Sequence, residues 1–404
     1  MNSFDLVKDL TFERLAGSEN EAKAIKIIEN YITSLGGTCT LEEFSIPYAN
    51  VKEASLKVGD KVYNATGFKR SGNIDATMDL VVLDDIDMID YVSVKGKACL
   101  LISNLTYKIY EELTKRDVRA IIDVSGSLYD DLNITDLEEK SLRDRHLNNG
   151  QTPCFTIRAI DAEHIVASGA TKVSLKLVQE EETLKSHNII SEIKGEIDDE
   201  IICFTAHYDS VRFSKGAYDN ATGSATILEM YKYYLENKPK RTLRFIWCGA
   251  EEMGLLGSKA YVDKHKDEPI RLCINVDMTS VNLGRDICCV TGGQNLCGYI
   301  ELLSREVGFK LSVKDGVYSS DSTPFADKGI PAVSFARLSS SSGARIHSNK
   351  DNGLFLSEKY FYQTCDFIKT FSSHMVFAEV FPVAKIIPDK IKTEIDKYYG
   401  RVTK

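Results

Sequence analysis

Five carboxylates and two imidazoles stand where the apolar runs of this chain break off. His207 and Asp209 follow Ile201 to Ala206, Asp219 opens a helical pattern, and Glu251 and Glu252 follow Leu243 to Cys248. Asp277 ends the run Leu272 to Val276, and His347 follows a serine-rich loop, Ser339 to Gly343. Taken singly, each has an ordinary explanation: a structural histidine at 207, a helix N-cap at 219, a solvated acidic turn at 251 and 252, a surface histidine at 347. Taken together they are a nitrogen and oxygen donor set that suits zinc, with cobalt or manganese as substitutes. Residues two apart on a strand face the same way, so His207 and Asp209 project together, and Asp209 is placed to hold the second ring nitrogen of His207 or to buttress the site. Small residues after Asp219 let a helix begin tight against a strand end, where the carboxylate could bridge two cations. Glu251 and Glu252 are adjacent at a sharp junction and should point to different sides, so one can bind metal while its neighbour holds a proton.

The elements that must position these groups are legible in the apolar pattern. From His187 onward strand-like runs (Ile189 to Ile193, Ile201 to Ala206, Leu243 to Cys248, Leu272 to Val276, Ile287 to Thr291, Ala332 to Ala336) alternate with helical patterns (Asn220 to Tyr234, Leu256 to His265, Leu296 to Val307, Glu358 to Ser372). Such alternation predicts an α/β fold, a three-layer α/β/α sandwich around a mixed, largely parallel sheet, with the site at the carboxyl ends of strands. Ser18 to Glu21 reads as a capping box, and Ile25, Ile28, Ile32 and Leu35 continue as a helix until Gly36-Gly37. Thr38 to Ile46 reads as a strand closed by Pro47, and Lys390 to Tyr399 as a final helix. Phe371 to Ile387 fits either a strand or a helix. Between Tyr48 and Glu182 the texture changes to short strand-like runs (Ala54 to Val58, Leu80 to Leu83, Ala98 to Ile102, Ala120 to Val124, Val173 to Val178) and polar loops, the longest being Tyr129 to Thr152. This predicts a β-rich module at 48–182 that interrupts one catalytic domain made of 1–47 and 183–404. Its charged loop, Asp136 to Arg145, reads as a solvated face, and the module gathers no set of residues for chemistry, so it serves at most as a lid or specificity element.

Composition narrows the classes of partner. The 404 residues carry 50 basic and 59 acidic side chains and a formal charge of −9, which argues against nucleic acid or an anionic membrane as the main partner. No stretch of about 18 apolar residues occurs, and the first residues lack a basic region followed by an apolar run, so the expectation is a cytoplasmic protein. Of the ten cysteines, Cys99, Cys203, Cys248, Cys273, Cys288 and Cys289 lie inside apolar runs without a C-x-x-C spacing, which reads as buried thiols of a reducing compartment.

His207–Ser210 (HYDS), Gly216–Ala225 (GAYDNATGSA), Gly249–Ser258 (GAEEMGLLGS), Asn275–Met278 (NVDM) and the late His347 occur in that order. Together they resemble the family-28 zinc metallopeptidases, and the likeness covers the N-terminal helix and His187 to Ser372. Lys95–Ile102 (KGKACLLI) and Thr152–Ala170 (TPCFTIRAIDAEHIVASGA) resemble the protease-associated insertion of some members. The resemblance implies a two-zinc exopeptidase in which His207 and Asp277 bind one ion, Glu252 and His347 the other, Asp219 bridges both, and Glu251 is the general base for an activated water. Many members place a tyrosine immediately before the last histidine as oxyanion donor, whereas here that residue is Ile346. Arg345, Tyr318 and Arg337 are then the candidates for substrate contact. The completeness of the set favours a peptidase, read here as an aminopeptidase, over a single-zinc glutaminyl cyclase and over a non-catalytic binding protein, while a carboxypeptidase or a deacylase of the same fold stays open as an alternative.

Overall fold

Apolar residues in the central runs fill nearly every position rather than alternating, because these strands are covered on both faces. Along Ile197–His207, Ile202, Phe204 and Ala206 enter one core while Ile201 and Cys203 enter another. The first core joins Leu243, Phe245 and Trp247, and Leu272, Ile274 and Val276, to the helices Glu19–Ser34, Thr222–Glu236, Gln294–Glu306 and Glu358–Val376. The second packs Ile246, Cys248 and Cys273 against Tyr261 and Val262 of the helix Leu256–Lys264 and Phe325 of Ser322–Asp327. Phe204 and Phe245 stack with centroids 4.9 Å apart inside the first core, where burial of each such ring is worth about 1.5–3 kcal/mol. These are the three layers expected.

The computed structural model describes residues 2–84, 87, 93–130, 137–340 and 343–402. Two compact units are present, one formed by Met1–Ile46 and Lys185–Lys404, the other by Pro47–Leu184. In the first unit the sheet order is Ser312–Asp315, Gly284–Val290, Ala332–Ser339, Ile270–Val276, Ile197–His207, Arg241–Cys248 and the end of Lys172–Ile193. Pairings are parallel except those of Gly284–Val290 with Ala332–Ser339 and of Arg241–Cys248 with Lys172–Ile193, so the sheet is mixed and mostly parallel.

The second unit has its own sheet, in which Ile74–Leu83, Ala98–Leu101, Ala120–Ser125 and Cys154–Arg158 pair in parallel and the short Ala65–Gly67 closes the edge antiparallel. The helices Tyr107–Lys115 and Ala159–Ala167 accompany it. All ten cysteines are free, nine of them buried. Among the described residues no helix is long and apolar enough to cross a membrane.

Several local expectations need correction. Pro47 does not close a strand: one strand runs Thr40–Val58, because a proline removes a single donor and is tolerated where the ladder does not use it. Val173 to Val178 and Ile189 to Ile193 are likewise one strand, Lys172–Ile193, its polar middle staying extended while exposed. The helix at Asp5–Asp9, the strand Ser312–Asp315 and the helix Ser322–Asp327 were not predicted; each is too short for a periodic signal. Phe371 to Ile387 begins as helix up to Val376 and continues without regular structure. The charged loop is not wholly solvated: Glu139 pairs with Lys69 and Lys140 reaches the fully buried Asp123 at 2.6 Å. Asp136 of that loop, residues 131–136 of the stretch Tyr129 to Thr152, and Ser341 and Ser342 of the serine-rich loop lie outside the described residues.

Candidate metal centre

Four parallel neighbours in the sheet end at one place. His207 is the last residue of its strand, Glu251 and Glu252 follow Cys248 by three and four residues, Asp277 follows Val276 directly, and His347 lies beyond the strand that ends at Ser339. Nε2 of His207 is 3.1 Å from one oxygen of Asp219 and 3.5 Å from Oδ1 of Asp277. Nε2 of His347 is 3.3 Å from the other oxygen of Asp219 and 3.1 Å from Oε2 of Glu252. The Asp219 carboxylate is therefore divided between two imidazoles, each of which has a further carboxylate beside it. Ligand atoms of His207, Asp219 and Asp277 lie within 4.8 Å of one another, as do those of Asp219, Glu252 and His347, and a third grouping joins His207, Glu251 and Glu252.

The backbone that presents these groups is strained locally. Ala250, Met278 and His347 have φ of 52°, 66° and 58°, a left-handed conformation that costs a side-chain-bearing residue about 1–2 kcal/mol. Each belongs to the cluster or flanks one of its acids, as expected where a site over-determines its loops. The Asp219–Asn220 peptide is cis. Asn220 is wholly buried: its amide donates to the Val276 carbonyl at 3.0 Å, and its Oδ1 accepts from Gly223 and Met278 N–H at 2.9 and 3.0 Å. A Cβ on Gly223 would stand 2.3 Å from that Oδ1 and 2.5 Å from the Val276 carbonyl oxygen, so glycine is what admits the contact.

Asp209 has a positioning part. His207 Nδ1 lies 3.3 Å from the Asp209 carbonyl oxygen and 3.5 Å from its carboxylate. The carboxylate accepts the Glu251 and Glu252 N–H groups at 3.1 and 3.3 Å. One acid thus orients an imidazole and the glutamate pair together. Asp351 does the same elsewhere, accepting Tyr218 and Asp219 N–H at 2.6 and 3.0 Å. Its place four residues after His347 was the available hint. The expected capping box closes by half: Ser18 Oγ accepts Glu21 N–H at 3.2 Å, but Ser18 N–H goes to the Leu15 carbonyl, and the Glu21 oxygens accept Gly17 N–H at 2.6 Å and the Tyr208 hydroxyl at 3.0 Å, with Ser186 also bonded to Glu21.

The three candidates for substrate contact separate. Arg337 is committed away from the cluster, to Asp286, to the Val281 carbonyl at 2.7 Å and to the face of Tyr360. Arg345 is exposed. Tyr318 is partly buried, its hydroxyl has no hydrogen-bond partner among the described residues, and burial together with Asp277 and Asp219 holds its pKa well above the usual phenol value. It is a donor at neutral pH.

Electrostatically the cluster is short of positive charge. Burial opposes protonation of His207, but Glu251, Asp209, Asp219 and Asp277 outweigh it and raise its pKa; Glu252 and Asp219 do the same for His347. Burial, with His207 opposing and Glu252, Asp321 and Asp277 repelling, raises the Glu251 carboxyl well above the usual range. Burial also lifts Asp321 to about 7, with His207 opposing. Oε1 of Glu252 and Oδ1 of Asp277 are buried without a hydrogen-bond partner among the described residues. Acceptors orphaned in this way, beside imidazole nitrogens, fit a divalent transition metal.

Carboxylates and imidazoles so disposed at the ends of adjacent parallel strands are a donor set that suits a divalent transition metal. Residues 188–368 match Peptidase family M28. Aminopeptidase YwaD of Bacillus subtilis (strain 168) is 35% identical over 196 residues, 45% of this chain and 42% of that protein. Aminopeptidase Y of Saccharomyces cerevisiae is 28% identical over 288 residues, 66% of this chain and 51% of that protein. The chain spans about half the length of these curated relatives. BSAP, a zinc aminopeptidase from Bacillus subtilis, superposes with a TM-score of 0.79 at 24% identity, over 96% of this chain and 98% of its own. An aminopeptidase from Aneurinibacillus sp. strain AM-1 gives 0.72 at 24% identity, over 95% of each chain. At this identity the structural likeness is one of fold.

Proposed function

We propose that this chain is a zinc-dependent aminopeptidase with two ions per molecule, His207 and Asp277 holding one, Glu252 and His347 the other, and Asp219 both. The division of the Asp219 carboxylate between two imidazoles carries this reading; cobalt or manganese would fit the same donors. Zinc there would lower the pKa of a water and polarise the scissile carbonyl. Glu251 takes the proton of the attacking water and returns it to the departing amine as the peptide C–N bond breaks. A carboxyl whose proton affinity is raised by burial and by neighbouring acids suits that double duty. The Tyr318 hydroxyl donates to the oxyanion, the part left open by Ile346. Asp209 keeps Glu251 and Glu252 in place through their backbone N–H groups.

We assign residues 48–182 as an inserted protease-associated-like domain within a catalytic domain of 1–47 and 183–404; the separate core around Leu100, Ile122, Phe155 and Leu177 supports an autonomous module. The ten free thiols support a reducing, cytoplasmic setting. The substrates are peptides, and the charge of −9 disfavours nucleic acid. Metal content and a paired peptide assay test this reading: two ions per chain are expected, with turnover of peptides bearing a free N-terminus and none of their acetylated forms. One ion together with cyclisation of N-terminal glutamine would make it a glutaminyl cyclase, and cleavage of acetylated peptides would make it a carboxypeptidase or deacylase.

A further inference from the structure

Arg14 is a fully buried guanidinium with no carboxylate partner among the described residues. Its donors go to backbone carbonyls instead: Nε to Tyr208 at 2.6 Å, Nη1 to Phe12 and Lys215 at 2.7 Å each and also to Leu10, and Nη2 to Gly216 at 2.9 Å. The backbone adds a reciprocal pair, Arg14 N–H to Ser210 Oγ at 2.9 Å and Ser210 N–H to the Arg14 carbonyl at 3.1 Å. Tyr208 lies between His207 and Asp209, and Gly216 lies three residues before Asp219. One side chain therefore joins the loop that carries the first imidazole to the loop that carries the shared carboxylate. The fit is close: a Cβ on Gly216 would fall 2.7 Å from Arg14 Nη2 and 2.8 Å from the Asp219 carbonyl oxygen, so the glycine, at φ 57°, makes room for both.

We infer that Arg14 is a positioning residue of the metal centre, a clamp that fixes His207 and Asp219 at the separation needed to share an ion. This rests on the reading of the cluster as a metal centre. Two effects of Arg14 on metal affinity oppose each other. Its charge repels an incoming dication, while its planar fork holds two loops that would otherwise have to be ordered by the metal itself. A guanidinium offers five donors in fixed directions and an ammonium does not, so Arg14→Lys keeps the charge and loses the clamp, whereas Arg14→Met loses both.

Zinc and cobalt dissociation constants, measured by chelator competition on the full chain, and the visible spectrum of the cobalt form separate the possibilities. Loss of an outer-shell partner costs about 10–100-fold in metal affinity, and this is expected for both Arg14→Lys and Gly216→Ala, with an altered cobalt spectrum. Leu303→Ala, which opens a cavity in the same core on the helix Gln294–Glu306, controls for general destabilisation and should lower the melting temperature while leaving the dissociation constant unchanged. If Arg14→Lys binds metal as the unaltered chain does, if Arg14→Met binds more tightly, or if Leu303→Ala weakens metal as much, the clamp is refuted. Should Arg14→Met not fold, Arg14→Lys and Gly216→Ala decide the question. An unaltered chain that binds no metal would refute the functional reading itself, a separate outcome.

Discussion

Buried charge is handled in opposite ways in the two units. In the Pro47–Leu184 unit, Asp123 is fully buried but meets the Lys140 ammonium at 2.6 Å and the Leu105 N–H at 3.0 Å, and Asp161 is bonded by Arg158 at 2.8 Å. Each acid is balanced by a cation of the chain itself. At the strand ends of the other unit, Asp209, Asp219, Glu251, Glu252 and Asp277 share two imidazoles, and the nearby guanidinium of Arg14 is spent on carbonyls. Desolvated carboxylates without a partner are costly, and the proposed metal ions would supply the balancing charge here.

The contrast can be broken at its strongest point first. Asp219→Ala should release both metals together and abolish turnover, measured as metal per chain after dialysis; retention of one ion would remove the bridging role. Glu251→Gln should keep both metals and lose about 10²–10⁴ in kcat, so a near-normal rate would take Glu251 out of the mechanism. Tyr318→Phe should cost about 10²–10³ in kcat with little change in KM if its hydroxyl meets the oxyanion. In the other unit, Lys140→Met strands Asp123 and should destabilise that unit by about 2 kcal/mol, discounted because the ammonium is partly exposed, while metal content stays unchanged. A drop in metal content there would erase the distinction between the units.

The smallest effect concerns a different imidazole. His265 lies 2.9 Å from Glu42 and 2.6 Å from Glu268. Bonding to Glu42, with burial opposing and Glu268 adding, raises its pKa. A raised folded pKa stabilises fully below the unfolded value of about 6.5 and is lost as pH climbs through the folded value. The melting-temperature gap between the unaltered chain and His265→Gln should therefore shrink as pH rises.

Sequence alone determined the alternation of elements and the points where acids and imidazoles leave them, because both follow from local periodicity and chain order. It could suggest His207, Asp209, Asp219, Glu251, Glu252, Asp277 and His347 as one donor set, since each terminates or follows a recognisable run, while the division of that set into ligands and base came from the family resemblance. Tertiary structure decided which oxygen of Asp219 faces which imidazole, that Asp209 holds the backbone of Glu251 and Glu252, that Arg337 does not join the cluster, that Asn220 and Asp351 bond the backbone beside Asp219 and Asp277, and that Arg14 is bonded to backbone carbonyls of two loops. The reason is physical. Those partners are largely backbone N–H and C=O groups brought together from distant positions, and every residue carries the same ones, so their pairing leaves no mark in the order of side chains.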